Sequence, residues 1–142
     1  MDRLSLLVPL LLTVCGGVLY HLGVKAVPKS TDPALALASA YAMALCASVV
    51  AYWVVPTAPD PAPVAPWHPA ILAVGLGVVM IGLGYLLTYR AAWPVSVASL
   101  LTNVLVAVLL VPIGVAMFDE RLSAARGLGV ALCIVGVLLL KR

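Results

Sequence analysis

The chain has 142 residues, of which 65% are hydrophobic and only 9% are charged, and its formal net charge is +3. Soluble domains contain about 25% charged residues and closer to half apolar residues, so this composition excludes an ordinary soluble globular protein. It indicates an integral membrane protein, for which the lipid bilayer is the solvent.

Five apolar stretches fill almost the whole sequence. Four of them each supply about 20 residues without an acidic or basic side chain, which is the length of helix that crosses ~30 Å of hydrocarbon. These stretches run from Leu4 to Gly23, from Ala34 to Val55, from Ala70 to Thr88 and from Val95 to Met117. The fifth is shorter, from Ala124 or Gly127 to Leu140, and it spans the membrane if Lys141 and Arg142 extend to the surface.

Because every backbone group in hydrocarbon needs an internal partner, continuous apolar runs of this length must be helices. The sequence therefore predicts an all-α, polytopic membrane protein with five transmembrane helices and a single domain over residues 1–142. Arg3 precedes the first stretch as the basic residue of a signal peptide would, but the stretch is too long for that and further spans follow it. The longest connection, Pro56 to Pro69, is rich in proline and is interpreted as a spacer.

Lysine and arginine residues give only a weak orientation signal. With five spans, one face of the membrane carries Arg3, Arg121 and Arg126, and the other carries Lys25, Lys29, Arg90, Lys141 and Arg142. A difference of three against five is compatible with insertion in either direction. Many transporters consist of two inverted repeats that move around a site at the bilayer midplane, so a single repeat needs a partner. We expect a homodimer, and with dual topology an antiparallel pair would reproduce a ten-helix inverted-repeat transporter with its site at the interface. A parallel dimer is the alternative.

The second half of the sequence resembles a known family. From Gly84 to Gly136, a span leads through a short basic, proline-containing turn into a span rich in small residues, then into the linker Asp119-Glu120-Arg121-Leu122-Ser123 and a glycine-rich last span. This arrangement resembles the closing half of the EamA-type repeat of the drug/metabolite transporter superfamily. The first span, with Gly16, Gly17 and Lys25, also fits that repeat. The resemblance implies a small membrane transporter related to the small multidrug resistance proteins.

The sequence departs from those relatives in its chemistry. They carry a glutamate within the first membrane helix that binds cations and protons, whereas no aspartate or glutamate lies inside any span of this chain. A permeating cation normally needs such a buried anionic group. A cationic substrate is therefore disfavoured.

Polar side chains that could line a substrate site lie near the ends of the first and third spans and along the fourth. The candidate substrate-binding residues are His21, Lys25, Tyr85, Tyr89, Arg90, Ser99 and Asn103. The first and third spans end on the same side of the membrane, so their polar residues are predicted to form a basic opening that suits phosphate or carboxylate. Ser99 and Asn103 are predicted to form the floor of the same cavity.

Alternative interpretations remain open for several of these residues. Lys25 and Arg90 either contact substrate or extend to lipid phosphates. His21 is a candidate proton acceptor as well as a ligand. Asn103 is either a pore-lining group or a hydrogen-bonding contact between helices. Glu120 is expected to have a structural role near the start of the fifth helix.

Motifs for other chemistry are missing from the sequence. It contains no HExxH, GxSxG or paired carboxylate, and Cys15, Cys46 and Cys133 are isolated from one another and are interpreted as packing residues. We expect no catalytic activity, no cofactor, no bound metal and no nucleic-acid partner. The two remaining classes are a transporter for a small metabolite or a lipid-linked anionic compound, and a non-transporting membrane subunit of a larger assembly. The expected location is the bacterial inner (plasma) membrane.

Overall fold

A computed structural model of the chain describes residues 3–55, 67–119 and 123–140. The regular structure of these residues is entirely α-helical. Five helices follow in chain order: α1, Arg3–Ala26; α2, Pro33–Val54; α3, Pro69–Arg90; α4, Val95–Phe118; and α5, Ala124–Leu140. Glu120 and most of the predicted spacer, together with Lys141 and Arg142, lie outside the described residues.

Four of these helices, α1 to α4, are long and apolar enough to cross a membrane. The helix α5 has 17 residues, which at 1.5 Å per residue is about 26 Å and falls short of the roughly 20 residues that a typical span needs. The all-helical fold and four of the predicted spans are therefore confirmed by length and composition. The fifth span stays a prediction.

The starts of α2 and α3 have the same local cause. Asp32 precedes Pro33, and its Oδ1 accepts hydrogen bonds from the backbone N–H groups of Ala34 at 2.8 Å and Leu35 at 3.0 Å. This pattern caps the otherwise unpaired donors of the first turn, while proline at the first helical position has the required φ angle.

At α3, the capping residue is a histidine that also precedes a proline. His68 Nδ1 accepts a hydrogen bond from the N–H of Ala70 at 3.2 Å. Pro69 then occupies the first helical position, as Pro33 does in α2. Both helix starts are therefore determined by two neighbouring residues and need no tertiary contact.

The chain divides into two units, Met1–Ala91 and Ala92–Arg142. In the first unit, α1 and α2 each pack against α3. The packed face of α3 carries Gly82, Leu86 and Tyr89, which are its buried residues and recur at helical spacing. Leu86 and Tyr89 are only 2% and 3% exposed. In the second unit, α4 packs against α5.

Most large apolar side chains lie on the surface of the described chain. Met43 on α2, for example, is 74% exposed, and α2 has no buried residue at all. Cys15, Cys46 and Cys133 are also free and exposed in the described chain, and their interpretation as packing residues stays a prediction. In water such an apolar surface would be unstable, but in a bilayer it faces lipid or another protein.

Candidate functional site

The ends of α1 and α3 are joined by a hydrogen bond between two residues that the sequence singled out. Tyr89 Oη and His21 Nδ1 lie 2.9 Å apart. The phenol is the donor when Nδ1 carries no proton, and the imidazole then keeps its own N–H on Nε2. Since Tyr89 is 3% exposed, this contact lies within the packed part of the first unit.

Aromatic rings surround the His21 imidazole. The Tyr85 ring meets it edge-on, with centroids 4.5 Å apart and an angle of 84° between the planes. Tyr85 and Tyr89 are stacked, with centroids 5.8 Å apart, as expected for aromatic residues one helical turn apart. Tyr20 completes the group, with its ring centroid 6.0 Å from that of Tyr85. We call Tyr20, His21, Tyr85 and Tyr89 the aromatic cluster.

Lys25 lies beside the aromatic cluster. Its Nζ is 5.4 Å from the centroid of the Tyr89 ring, within the range of a cation–π interaction. The ammonium group is one helical turn from His21 on α1, so the structure brings together a cation, an imidazole and phenols. These groups are able to bind an anionic or hydrogen-bonding molecule.

Arg90 has a different environment from Lys25. Its Nη2 donates a hydrogen bond to the backbone carbonyl of Thr31, in the loop between α1 and α2. The guanidinium group therefore ties that loop to the end of α3. Its Nε is buried and has no hydrogen-bond partner among the described residues.

An apolar groove of about 300 Å³ lies next to the aromatic cluster, between α1 and α2. Small residues such as Gly23, Ala36 and Ala40 line it, and Leu86 of α3 also contributes.

Tyr20 belongs both to the wall of this groove and to the aromatic cluster. Its Oη is buried without a hydrogen-bond partner in the described part of the chain. Buried unpaired polar atoms are uncommon in native proteins, so two of them near one site, in Tyr20 and Arg90, are notable.

The contact between α2 and α3 depends on a tyrosine that the sequence did not single out. Tyr41 Oη donates a hydrogen bond of 2.9 Å to the backbone carbonyl of Val78. It approaches α3 so closely that a Cβ atom added at Gly82 would collide with it. The signal available in the sequence was a tyrosine near the middle of an alanine-rich helix, whereas the other tyrosine of α2, Tyr52, lies near its end.

Ser99 and Asn103 both belong to α4, in the second unit. Ser99 Oγ donates to the carbonyl of Val95 at 2.7 Å, on its own helix. The Asn103 side chain is exposed and lies at an open groove between α4 and α5. The structure thus brings together His21, Lys25, Tyr85 and Tyr89, with Arg90 at the neighbouring loop. That Ser99 and Asn103 form the floor of the same cavity stays a prediction.

The fold and the site define the class of protein as an all-helical integral membrane protein with a polar, aromatic cluster at the ends of two membrane helices. Within the described residues, no group of three or more His, Cys, Asp or Glu side chains is arranged to hold a metal ion. Comparisons with known proteins give no match for this chain, whether with protein families, with curated proteins or with solved structures. The resemblance to the EamA-type repeat therefore rests on the sequence motifs alone.

Proposed function

We propose that the protein is a small membrane transporter of the drug/metabolite type, located in the bacterial inner membrane, which moves its substrate by alternating access. The observation that carries this proposal is the His21–Tyr89 hydrogen bond with Lys25 beside it, near the ends of two membrane helices. Polar and ionisable groups within a membrane are costly, and they commonly mark the path of a substrate, an ion or a proton.

The charge of the site favours an anionic substrate. Lys25 supplies a positive charge, and the aromatic cluster supplies hydrogen-bonding groups. No acidic residue lies within any of the five helices, so a cationic substrate would have no counter-charge there. A small metabolite or a lipid-linked compound that carries phosphate or carboxylate fits this chemistry.

Alternating access requires a second set of helices, because one repeat does not enclose a site by itself. Two copies of this chain would supply ten helices, the number found in transporters built from two repeats of five. The exposed apolar faces of the helices are compatible with such an association, and lipid would cover them equally well. We therefore propose a homodimer as the functional unit.

A second candidate function is a non-transporting subunit that assembles with a larger membrane protein. It is favoured by α2, which has no buried residue and so leaves its surface for another protein or for lipid. The two candidates differ in one respect that is simple to test. A transporter works in liposomes that contain this protein alone, whereas an assembly subunit does not.

The test is uptake into such liposomes with three labelled probes: glycerol 3-phosphate, succinate and a short-chain phosphatidic acid. The first two test soluble phosphate and carboxylate, and the third tests a lipid phosphate. We expect protein-dependent uptake or flipping of at least one probe, with a large loss in the His21→Ala variant. Tyr52→Phe, at the exposed end of α2, is the matched control and should behave as wild type. Rates equal to those of empty liposomes for all three probes would contradict an anion transporter and favour the assembly subunit.

A further inference from the structure

The hydrogen-bond partner of His21 leaves its imidazole able to change charge. Tyr89 Oη lies 2.9 Å from His21 Nδ1. A phenol hydroxyl both donates and accepts, so it donates to the bare nitrogen of a neutral imidazole and accepts from the N–H of an imidazolium. A carboxylate partner would favour the charged ring, and a backbone N–H would favour the neutral one. With tyrosine as partner, His21 gains or loses a proton while the contact between α1 and α3 is kept.

The groups that face His21 comprise one cation and several phenols. On α1, Lys25 is one helical turn away, and its Nζ is 5.4 Å from the centroid of the Tyr89 ring. That centroid is itself 6.2 Å from the centroid of the His21 ring. Tyr85 of α3 and Tyr20 of α1 place their ring centroids 4.5 Å and 5.7 Å from the imidazole. Phenols are uncharged near neutral pH, so Lys25 carries the charge beside this ring.

Other titratable groups of the first unit are engaged elsewhere. Arg90 donates to the carbonyl of Thr31, and Lys29 is exposed in the same loop between α1 and α2. Tyr41 of α2 is hydrogen-bonded to the backbone of α3. Asp32 is the one acidic side chain among the described residues of this unit, and its carboxylate caps the first turn of α2. In this part of the chain, no carboxylate is placed to balance a charge on the imidazole.

A proton on His21 therefore adds a second positive charge near Lys25. Two neighbouring cations repel each other, and an anion bound beside them stabilises both. The effect is reciprocal, because an anion strengthens proton binding by the same factor as the proton strengthens anion binding. The contacts of His21 thus make its charge depend on whether the site holds an anion.

We propose that His21 is the proton-binding residue of the site and takes up one proton together with the anionic substrate. The proton comes from water on the side to which the site is open and adds to the imidazole nitrogen that carries none. It returns to water when the anion leaves on the other side, so protons and substrate move in the same direction. Histidine suits this role because its charge changes between about pH 5 and pH 8. The inference rests on the proposed transport of an anion and names the ion coupled to it.

The first test observes the proton on His21 directly, by nitrogen NMR of the imidazole rings of the full chain in liposomes. The chain has two histidines, and the His68→Asn variant assigns their signals while keeping an acceptor oxygen at the start of α3. The two probes are glycerol 3-phosphate and a short-chain phosphatidic acid, which present the same phosphate in a soluble molecule and in a lipid. Either probe should raise the midpoint of the His21 titration by about one to two pH units.

His68 is the internal control of this experiment. It is exposed and lies at the start of α3, so it responds to the surface charge that a phosphate lipid adds to the membrane, but it is not part of the aromatic cluster. We expect its midpoint to move less than that of His21. Equal shifts at both histidines, or a His21 midpoint that neither probe moves, overturn the proposal.

The second test measures proton movement with a pH-sensitive dye inside liposomes that contain this protein alone. At equal pH on both sides, an inward gradient of glycerol 3-phosphate or phosphatidic acid should acidify the interior as the probe enters. His21→Gln keeps hydrogen-bonding groups but does not bind a proton, so it should abolish this acidification. His68→Asn is the matched control and should acidify as wild type does. Unchanged acidification in His21→Gln shows that the probe carries the proton itself and overturns the proposal.

These outcomes separate the inference from the proposed function. Uptake of a probe without proton movement overturns the inference and leaves the transporter standing. Absence of both binding and uptake for every probe overturns the two together. A His21 midpoint that shifts with a probe, in liposomes that take up none, refutes transport and leaves His21 as a proton-linked anion site.

Discussion

Tyr89 Oη lies 2.9 Å from Nδ1 of His21, and this hydrogen bond connects two helices whose paired residues are 68 positions apart in the sequence. Tyr89 is almost fully buried, so the bond is shielded from competing water. It therefore ties α1 to α3 within the first unit, and under the proposed function it also orients His21 in the candidate site. Measuring both the free energy of unfolding and transport on the same variants of His21 and Tyr89 distinguishes a structural role from a role in transport.

The first prediction concerns the strength of this bond. Tyr89→Phe removes the hydroxyl and leaves His21 Nδ1 without its partner, so we expect the free energy of unfolding to fall by about 0.5–1.5 kcal/mol. The measurement is unfolding in mixed detergent micelles. A double-mutant cycle with His21→Ala should give a coupling energy of similar size. Strictly additive effects of the two substitutions would show that the bond does not contribute.

The second prediction concerns the contact between α2 and α3. In Gly82→Ala the new methyl group collides with Tyr41 Oη, which displaces the hydrogen bond to the Val78 carbonyl. We expect a loss of about 1–3 kcal/mol in the free energy of unfolding. Gly84→Ala is the matched control on the same helix, because its methyl group would meet nothing within 4 Å.

A rescue experiment identifies the cause of that loss. Adding Tyr41→Phe to Gly82→Ala removes the oxygen atom that the new methyl group meets. We expect the double variant to be more stable than Gly82→Ala alone. A double variant that is less stable still would show that the collision at Tyr41 is not what destabilises the protein.

The third prediction concerns the start of α2. Asp32 accepts two hydrogen bonds from the first turn, so Asp32→Ala should lower the free energy of unfolding by about 1 kcal/mol. Asp32→Asn keeps an oxygen acceptor and should retain most of the stability. The measurement is the same micelle unfolding. Equal losses in both variants would show that the negative charge, and not the acceptor, stabilises this helix start.

The fourth prediction separates the two basic residues of the site. Under the proposed function, Lys25→Met should weaken binding of an anionic probe roughly ten- to a hundred-fold, because a charge-assisted contact is lost, and should lower stability only by the loss of its cation–π contact with Tyr89. Arg90→Gln should lower stability as well, because it removes the tie to the Thr31 carbonyl. The measurements are equilibrium binding of glycerol 3-phosphate and thermal unfolding. A Lys25→Met variant that binds as wild type would favour contact between Lys25 and lipid phosphates.

Much of the secondary structure is determined by the sequence alone. Apolar runs of about 20 residues must be helices in hydrocarbon, because no water is present to pair with the backbone. The predicted start at Val95 coincides with the start of α4, and α3 begins at Pro69, one residue before the predicted Ala70. The starts of α2 and α3 are each fixed by a capping side chain followed by a proline, Asp32-Pro33 and His68-Pro69. Because both residues act locally, the neighbouring sequence predicts where these helices begin.

Which residues of different helices meet was decided only by the tertiary structure. Helical spacing placed His21 with Lys25 on one face of α1 and Tyr85 with Tyr89 on one face of α3, but it did not show that His21 and Tyr89 share a hydrogen bond. The contact of Tyr41 with α3 at Gly82 was not anticipated. In a soluble helix the apolar face marks the side that packs, whereas a membrane helix is apolar on every face because lipid and protein neighbours are equally apolar. The sequence therefore determined the helices, and only packing determined which of their faces come together.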